Sequence, residues 1–272
     1  MIIDSHVHIS DRPTPVYRHP PFTVEELLEL MDSSYYVNGQ KRRVDMALVM
    51  PHVGETMEPG VSLVQQHSYI QECINRYPDR LLGCVMVNPH RGPELIVKEI
   101  NQLAESGFKA VKLHPTVHSY FPPRNRDLLD PIFETAAGLK LPVIIHTGEP
   151  PFAIPSLWAP LAEDHPGASI IFAHMGTQMV SYSSEALYVA QNNSNIFLDT
   201  SWASLPVLKR AVACPGPERL LLGSDCPIQE MGTQIRTVEV LGWKPPLGLG
   251  LDAVSIEKIL GDNLAGLLGI KR

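Results

Sequence analysis

Eight short apolar runs recur along this chain, each followed by a turn and then a longer stretch with helical spacing. The runs are MIID (1–4), VDMALVM (44–50), LLGCVMV (81–87), KAVKL (109–113), PVIIH (142–146), SIIFAH (169–174), NIFLDT (195–200) and RLLLGSD (219–225). They are too short for buried helices and rich in residues that suit a pleated, buried surface. The intervening stretches 94–107, 128–141, 156–167 and 255–270 place apolar residues at helical spacing, with Ser255 as the expected N-cap of the last. A further helix is expected over 23–37, before the second strand. Strands alternating with helices predict a parallel sheet. Eight such units in 272 residues predict one α/β domain over 1–272, a distorted (β/α)8 barrel, a fold of typically ~250 residues. An open doubly wound sheet would carry a glycine-rich phosphate loop after its first strand; here that position holds His6-Val7-His8. The glycines of GLGLD (248–252) follow no strand and read as a loop.

Composition narrows the function classes. The net charge is −7, and the only compact basic run, KRR at 41–43, is too short to form a nucleic-acid stripe. No apolar run is long enough to span a bilayer, and no charged-then-apolar leader opens the chain. Cys73, Cys84, Cys214 and Cys226 lack paired spacing and read as reduced thiols of a cytoplasmic protein. The expected partner is a small molecule, with neither nucleic acid nor membrane. A homodimer is compatible with this picture.

The histidines fall in a pattern. His6, His8, His114, His146 and His174, together with Asp225, all sit where predicted strands end. In a parallel barrel those ends converge on one rim, where the long connections 9–22, 115–126 and 147–156 also emerge. Alternation puts His6 and His8 on one strand face, with Asp4 on the same face. Lys112 and His114 form a similar pair. His19, His52, His67, His90 and His165 read as surface or loop residues, with His52 and His90 close enough to strand ends to reach the rim.

The residues HVH, GFKAVKLHP, LPVIIHTGE, IIFAHMG, LLLGSDCP and ILGDNLAGLLGI resemble the amidohydrolase superfamily. More narrowly they resemble its amidohydrolase-related group, which holds metal-dependent barrel hydrolases and decarboxylases of the aminocarboxymuconate-semialdehyde type. The resemblance implies one divalent metal ion, zinc with manganese as the alternative, on His6, His8, His146 and Asp225. Three imidazoles and a carboxylate suit such an ion and leave room for water. It implies His174 as general acid or base, and Asp225 as acceptor of the water's proton. Lys112, His114 and Arg12 would hold an anionic substrate, with Arg18 a second clamp. In two-metal members a carboxylated lysine bridges the ions, a role open to Lys112; a single ion is the expectation here. Glu149 and Asp199 could support the ligands or serve their loops. Tyr120, Phe121, Phe152 and Trp202 could line the mouth or only pack, and Cys226 reads as inert. The expected reaction is metal-dependent hydrolysis of an ester, lactone or amide. The chain's modest length supports this over the rival reading, nonoxidative decarboxylation. A barrel that binds metal and ligand without turnover is the third reading.

Overall fold

The computed structural model describes residues 1–13, 20–53, 61–177 and 179–270. Ten strands are present: β1 (Ile3–His8), β2 (Tyr35–Val37), β3 (Gln40–Arg42), β4 (Met46–Met50), β5 (Leu81–Val87), β6 (Phe108–Leu113), β7 (Val143–His146), β8 (Ile170–Ala173), β9 (Ile196–Asp199) and β10 (Leu220–Leu221). Eight of them form one parallel sheet in the order β1-β4-β5-β6-β7-β8-β9-β10. The ends meet through Ser5 N–H to Leu222 O at 2.8 Å, Asp225 N–H to His6 O at 2.8 Å and His8 N–H to Cys226 O at 2.8 Å. With helices covering the outside, this is the expected (β/α)8 barrel in a single domain.

Two apolar layers explain why the barrel holds its shape. Val49, Val85, Val111, Val143, Ile145 and Phe172 face outward against the helices, while Leu48, Cys84, Ala110, Ile144, Ile171 and Leu221 fill the interior. Stepping two residues along each inner face leads from apolar floor to polar rim: Ala110 to Lys112 to His114, Ile144 to His146, and Leu221 through Gly223 to Asp225. The site is therefore the upper layer of the barrel's own packing.

Several local expectations are corrected. Alternation alone would put Asp4 with the histidines. The register of β1 against β4 shifts between Asp4 and Val7, where β1 carries one extra residue. That bulge turns His6 inward, although it lies three residues from the inward Ile3, and leaves Asp4 on the outer side with Ile2 and Val7. There the Asp4 carboxylate accepts from the backbone N–H groups of His6 and Ser224, both at 3.0 Å, splinting the bulge to the last strand. The helix expected over 23–37 spans only Val24–Met31, started by a Thr23/Glu26 capping box. It gives way to the β2–β3 hairpin, whose turn residues Asn38 and Gly39 have φ of 50° and 75°. The last helical region begins at Asp252, whose side chain accepts from Ser255 N–H at 2.7 Å, so Asp252 and not Ser255 is the cap. The strand expected over 219–225 forms a ladder only at Leu220–Leu221; beyond it, Gly223 N–H bonds Thr200 Oγ1 at 3.1 Å and Ser224 N–H bonds Asp4. No described helix is long and apolar enough to cross a membrane.

His67, expected at the surface, is fully buried. Its Nδ1–H donates to Leu63 O at 2.7 Å and its Nε2 accepts from Met86 N–H at 2.8 Å, pinning the preceding turn to β5. Only the neutral ring can do both, and burial lowers its pKa from 6.5 to about 4. The folded state therefore binds this proton less readily than the unfolded chain. The stabilisation is complete above pH 6.5 and is lost as pH falls toward 4, on the order of 3 kcal/mol in all. Urea unfolding at pH 7 and pH 4.5 checks this. His67→Gln should lower stability at pH 7 and flatten the dependence between these values; an unchanged pH slope would refute the assignment.

Candidate active site

The strand ends enclose a cavity of ≈ 470 Å³. It is lined by His6, His8, Lys112, His114, His146, His174 and Asp225, together with His52, Val53, Glu149, Thr177, Trp202 and Ile228. Of the residues expected to bind metal or carry the chemistry, His6, His8, His146, His174 and Asp225 all line it, as do Lys112 and His114. Arg12 is exposed and does not line the cavity, which removes the geometric basis for a clamp in this conformation. Arg18 lies outside the described residues. Tyr120 packs edge-on against Trp158, with ring centroids 6.4 Å apart, and of the four aromatic residues considered only Trp202 reaches the cavity.

His6 and His8 are set by what their outer nitrogens do. His6 Nδ1–H donates to Asp199 Oδ2 at 3.0 Å, and His8 Nδ1–H donates to the Pro51 carbonyl at 2.8 Å. Each ring therefore turns an Nε2 lone pair inward, and both Nε2 atoms lie 3.4 Å from Asp225 Oδ1. A carboxylate or carbonyl behind a histidine is the usual support for a metal ligand. Asp199 fits there because residue 223 is glycine: a Cβ would sit 2.5 Å from Asp199 Oδ2. Trp202 Nε1–H donates to Asp225 Oδ2 at 2.7 Å, leaving Oδ1 toward the histidines. Ligand atoms of His6, His174 and Asp225 all lie within 4.8 Å of one another, so this cluster can hold an ion.

His146 and His174 form a linked pair. His174 Nδ1 lies 2.8 Å from Ser201 Oγ, and its Nε2 lies 3.1 Å from His146 Nδ1. His146 Nε2 is buried without a hydrogen bond; Glu149 Oε2 stands 3.3 Å away but out of line. His114 stacks on His146 with centroids 3.9 Å apart and planes 12° apart. Ser201 escaped notice in the sequence, although its N–H also caps Asp199 Oδ1 at 2.6 Å, two residues away.

Electrostatics prepare these groups for a cation. Burial lowers the pKa of His6, His146, His114 and His174, the last two well below 6.5, which keeps the imidazoles neutral and their lone pairs available. Asp225 Oδ2 accepts from Trp202 Nε1–H, a hydrogen bond that favours the ionised carboxylate. Lys112 Nζ donates to His6 Nε2 at 3.0 Å, and burial lowers its pKa despite Asp225 and Asp199. His174, Thr177, Trp202 and Asp225 hold φ between 57° and 68°, a left-handed backbone that non-glycine residues adopt at a cost of roughly 1 kcal/mol each. That strain gathers around one cavity.

The amidohydrolase family model matches residues 3–270, and the chain belongs to that family. No curated protein matches the sequence. Among solved structures, it is similar to 5-carboxyvanillate decarboxylase from Novosphingobium aromaticivorans, complexed with manganese and 4-hydroxy-3-methoxy-5-nitrobenzoic acid. That match has a TM-score of 0.73 at 16% identity and covers 99% of this chain and 96% of the other. It is also similar to 2,6-dihydroxybenzoate decarboxylase from Rhizobium, with TM-score 0.71, 14% identity and coverage of 99% and 98%. A third is dihydroxybenzoic acid decarboxylase from Polaromonas, with bound manganese and the inhibitor 2-nitroresorcinol, at TM-score 0.71, 16% identity and coverage of 100% and 97%. At these identities the likeness establishes the fold. Because the matches run end to end, chain length does not favour hydrolysis over decarboxylation.

Proposed function

We propose that this protein is a metal-dependent nonoxidative decarboxylase acting on a small aromatic or enolic carboxylic acid. The observation that carries the reading is the mixed lining of one cavity: imidazoles, Asp225 and Lys112 together with the apolar Val53, Trp202 and Ile228. Such a pocket suits a flat ring that bears an acid. The decarboxylases of similar fold support it. The proposed donor set is His6, His8, His146 and Asp225. His146 is included because its buried Nε2 makes no hydrogen bond, although Glu149 Oε2 stands 3.3 Å away; His174, grouped with His6 and Asp225, is kept for the proton. Imidazole-rich ligation suits zinc; two of the similar structures carry manganese. A bound ion would supply positive charge that orders the acid and spreads the negative charge formed on carbon.

This chain's side chains would do the rest. Lys112 and His114 line the cavity, where charge-assisted hydrogen bonds could hold the carboxylate. In the reaction the bond between carbon and carboxylate breaks, its electron pair stays on that carbon, and a proton takes the vacated position as CO2 leaves. His174 would carry that proton, with Ser201 Oγ beside one ring nitrogen and His146 Nδ1 beside the other. Protein loaded with zinc or manganese, incubated in D2O with hydroxybenzoates, enolic acids, lactones and esters, tests this. CO2 release with one deuterium at the former carboxyl position is the expected result. Ester or lactone cleavage with no CO2 would overturn it in favour of hydrolysis, for which Asp225 Oδ1 could take the proton of water.

A further inference from the structure

We propose that a second chamber opening beside the metal site is a substrate subsite, and that it receives a neutral, apolar substituent on the acid's ring. The proposal rests on the decarboxylase reading for the nature of the acid, and on the following geometry for the rest.

The chamber has a volume of ≈ 290 Å³ and shares His8, His52 and Ile228 with the main cavity. Beyond that shared boundary it is lined by the apolar Ile9, Pro20, Pro21, Phe22 and Pro227, with Ser10 and Glu26 as its polar groups. It is built from four segments tied by backbone bonds. Ser10 N–H bonds Phe22 O at 2.9 Å, Ile9 N–H bonds Met50 O at 3.1 Å, and His8 N–H bonds Cys226 O at 2.8 Å. The strand that delivers His6 and His8 to the main cavity thus continues directly into the chamber's wall. A ring whose carboxylate lies beside His8 would have this chamber next to it.

The chamber's polar groups indicate what it admits. Ser10 Oγ is committed to Arg12 O at 2.7 Å. Glu26 Oε2 accepts from Thr23 N–H at 2.7 Å and Thr23 Oγ1 at 3.0 Å, an arrangement that favours its ionised form. A neutral carbon substituent loses nothing on entering and gains apolar contact, whereas a second carboxylate would meet the Glu26 charge. The site as a whole therefore selects a monocarboxylic acid with an apolar arm, the acid beside the imidazoles and Lys112 and the arm against Ile9, Phe22 and the prolines.

Calorimetric titration of the manganese-loaded full chain tests the subsite. The probes are 2-hydroxybenzoates bearing hydrogen, methyl, ethyl, propyl or carboxymethyl at ring position 4 or 5. In one positional series affinity should rise roughly three- to fourfold per added carbon, and the carboxymethyl compound should bind more weakly than the ethyl one. Phe22→Ala should flatten the series. Phe22→Leu, the milder change, should reduce its slope, and Glu26→Gln should recover binding of the carboxymethyl compound. Flat series at both positions, with the parent acid still bound and releasing CO2, would overturn the subsite and leave the decarboxylase reading standing. No binding of any hydroxybenzoate to the loaded protein would overturn both.

Discussion

His146→Ala should release the divalent ion, while His174→Ala should keep it and lose turnover. The two rings touch through a 3.1 Å contact, yet their outer atoms meet different surroundings. His146 Nε2 is buried with no hydrogen bond, and burial depresses its pKa although Glu149 opposes the shift. A neutral ring nitrogen that makes no hydrogen bond, with the Glu149 carboxylate 3.3 Å away, is what a cation completes. Removing it should weaken ion binding by more than the ~100-fold that loss of an outer support typically costs. His174 is held instead by Ser201 Oγ at 2.8 Å, on a backbone twisted to φ 68°. Its loss should leave near one ion per chain and lower turnover about 10²- to 10⁴-fold, the range expected for a general acid or base. Metal analysis of both purified variants, beside their rates of CO2 release, decides. Equal ion loss in both would place His174 in the ligand shell, which its grouping with His6 and Asp225 permits.

The barrel was legible from sequence because the inner-face residues of most strands repeat at intervals of two and several strands end in a histidine or an aspartate. That rule brings His114, His146 and Asp225 to one cavity; Asp199, left open between ligand support and a loop role, lies 3.0 Å from His6 Nδ1. Asp4 was misread because a bulge breaks the interval, and nothing in IIDSHVH marks where the extra residue goes. The β2–β3 hairpin was readable in principle: Asn38-Gly39 is a strong two-residue turn signal, hidden by the helical pattern running up to it. Ser201 was out of reach, because a serine after a strand is unremarkable until a histidine 27 positions earlier turns toward it. Arg12 was overvalued for a related reason. Loop position suggests proximity to a rim, but the direction of an exposed side chain is set by local backbone bonds that sequence spacing does not encode.

Gly176→Ala should damage the site more than its distance from any reacting atom suggests. Gly176 has φ 78°, and a Cβ there would run into the backbone carbonyl of Tyr182. Gly148, at φ 108°, presses from the opposite side, where a Cβ would stand 2.5 Å from Gly176 C. The two loops leave β7 and β8, each two residues beyond a site histidine, and Thr147 stitches them: its Oγ1 donates to Ala173 O at 2.6 Å and accepts from Gly176 N–H at 3.0 Å. Because both neighbours are backbone, an added methyl cannot be absorbed by rotating a side chain. Overpacking of this kind costs typically 1–3 kcal/mol, and the left-handed backbone adds about 1 kcal/mol more. The displacement acts on the His146–His174 contact, where a shift near 1 Å can cost about 100-fold in rate. Gly138→Ala is the control, since that helical glycine has open space around its Cβ and alanine should stabilise it slightly. Melting temperature, bound metal and turnover are compared across the three proteins. Gly176→Ala should melt several degrees lower and lose about two orders of magnitude in turnover. A Gly176→Ala protein as active as Gly138→Ala would mean that the loops do not set the spacing of the two histidines.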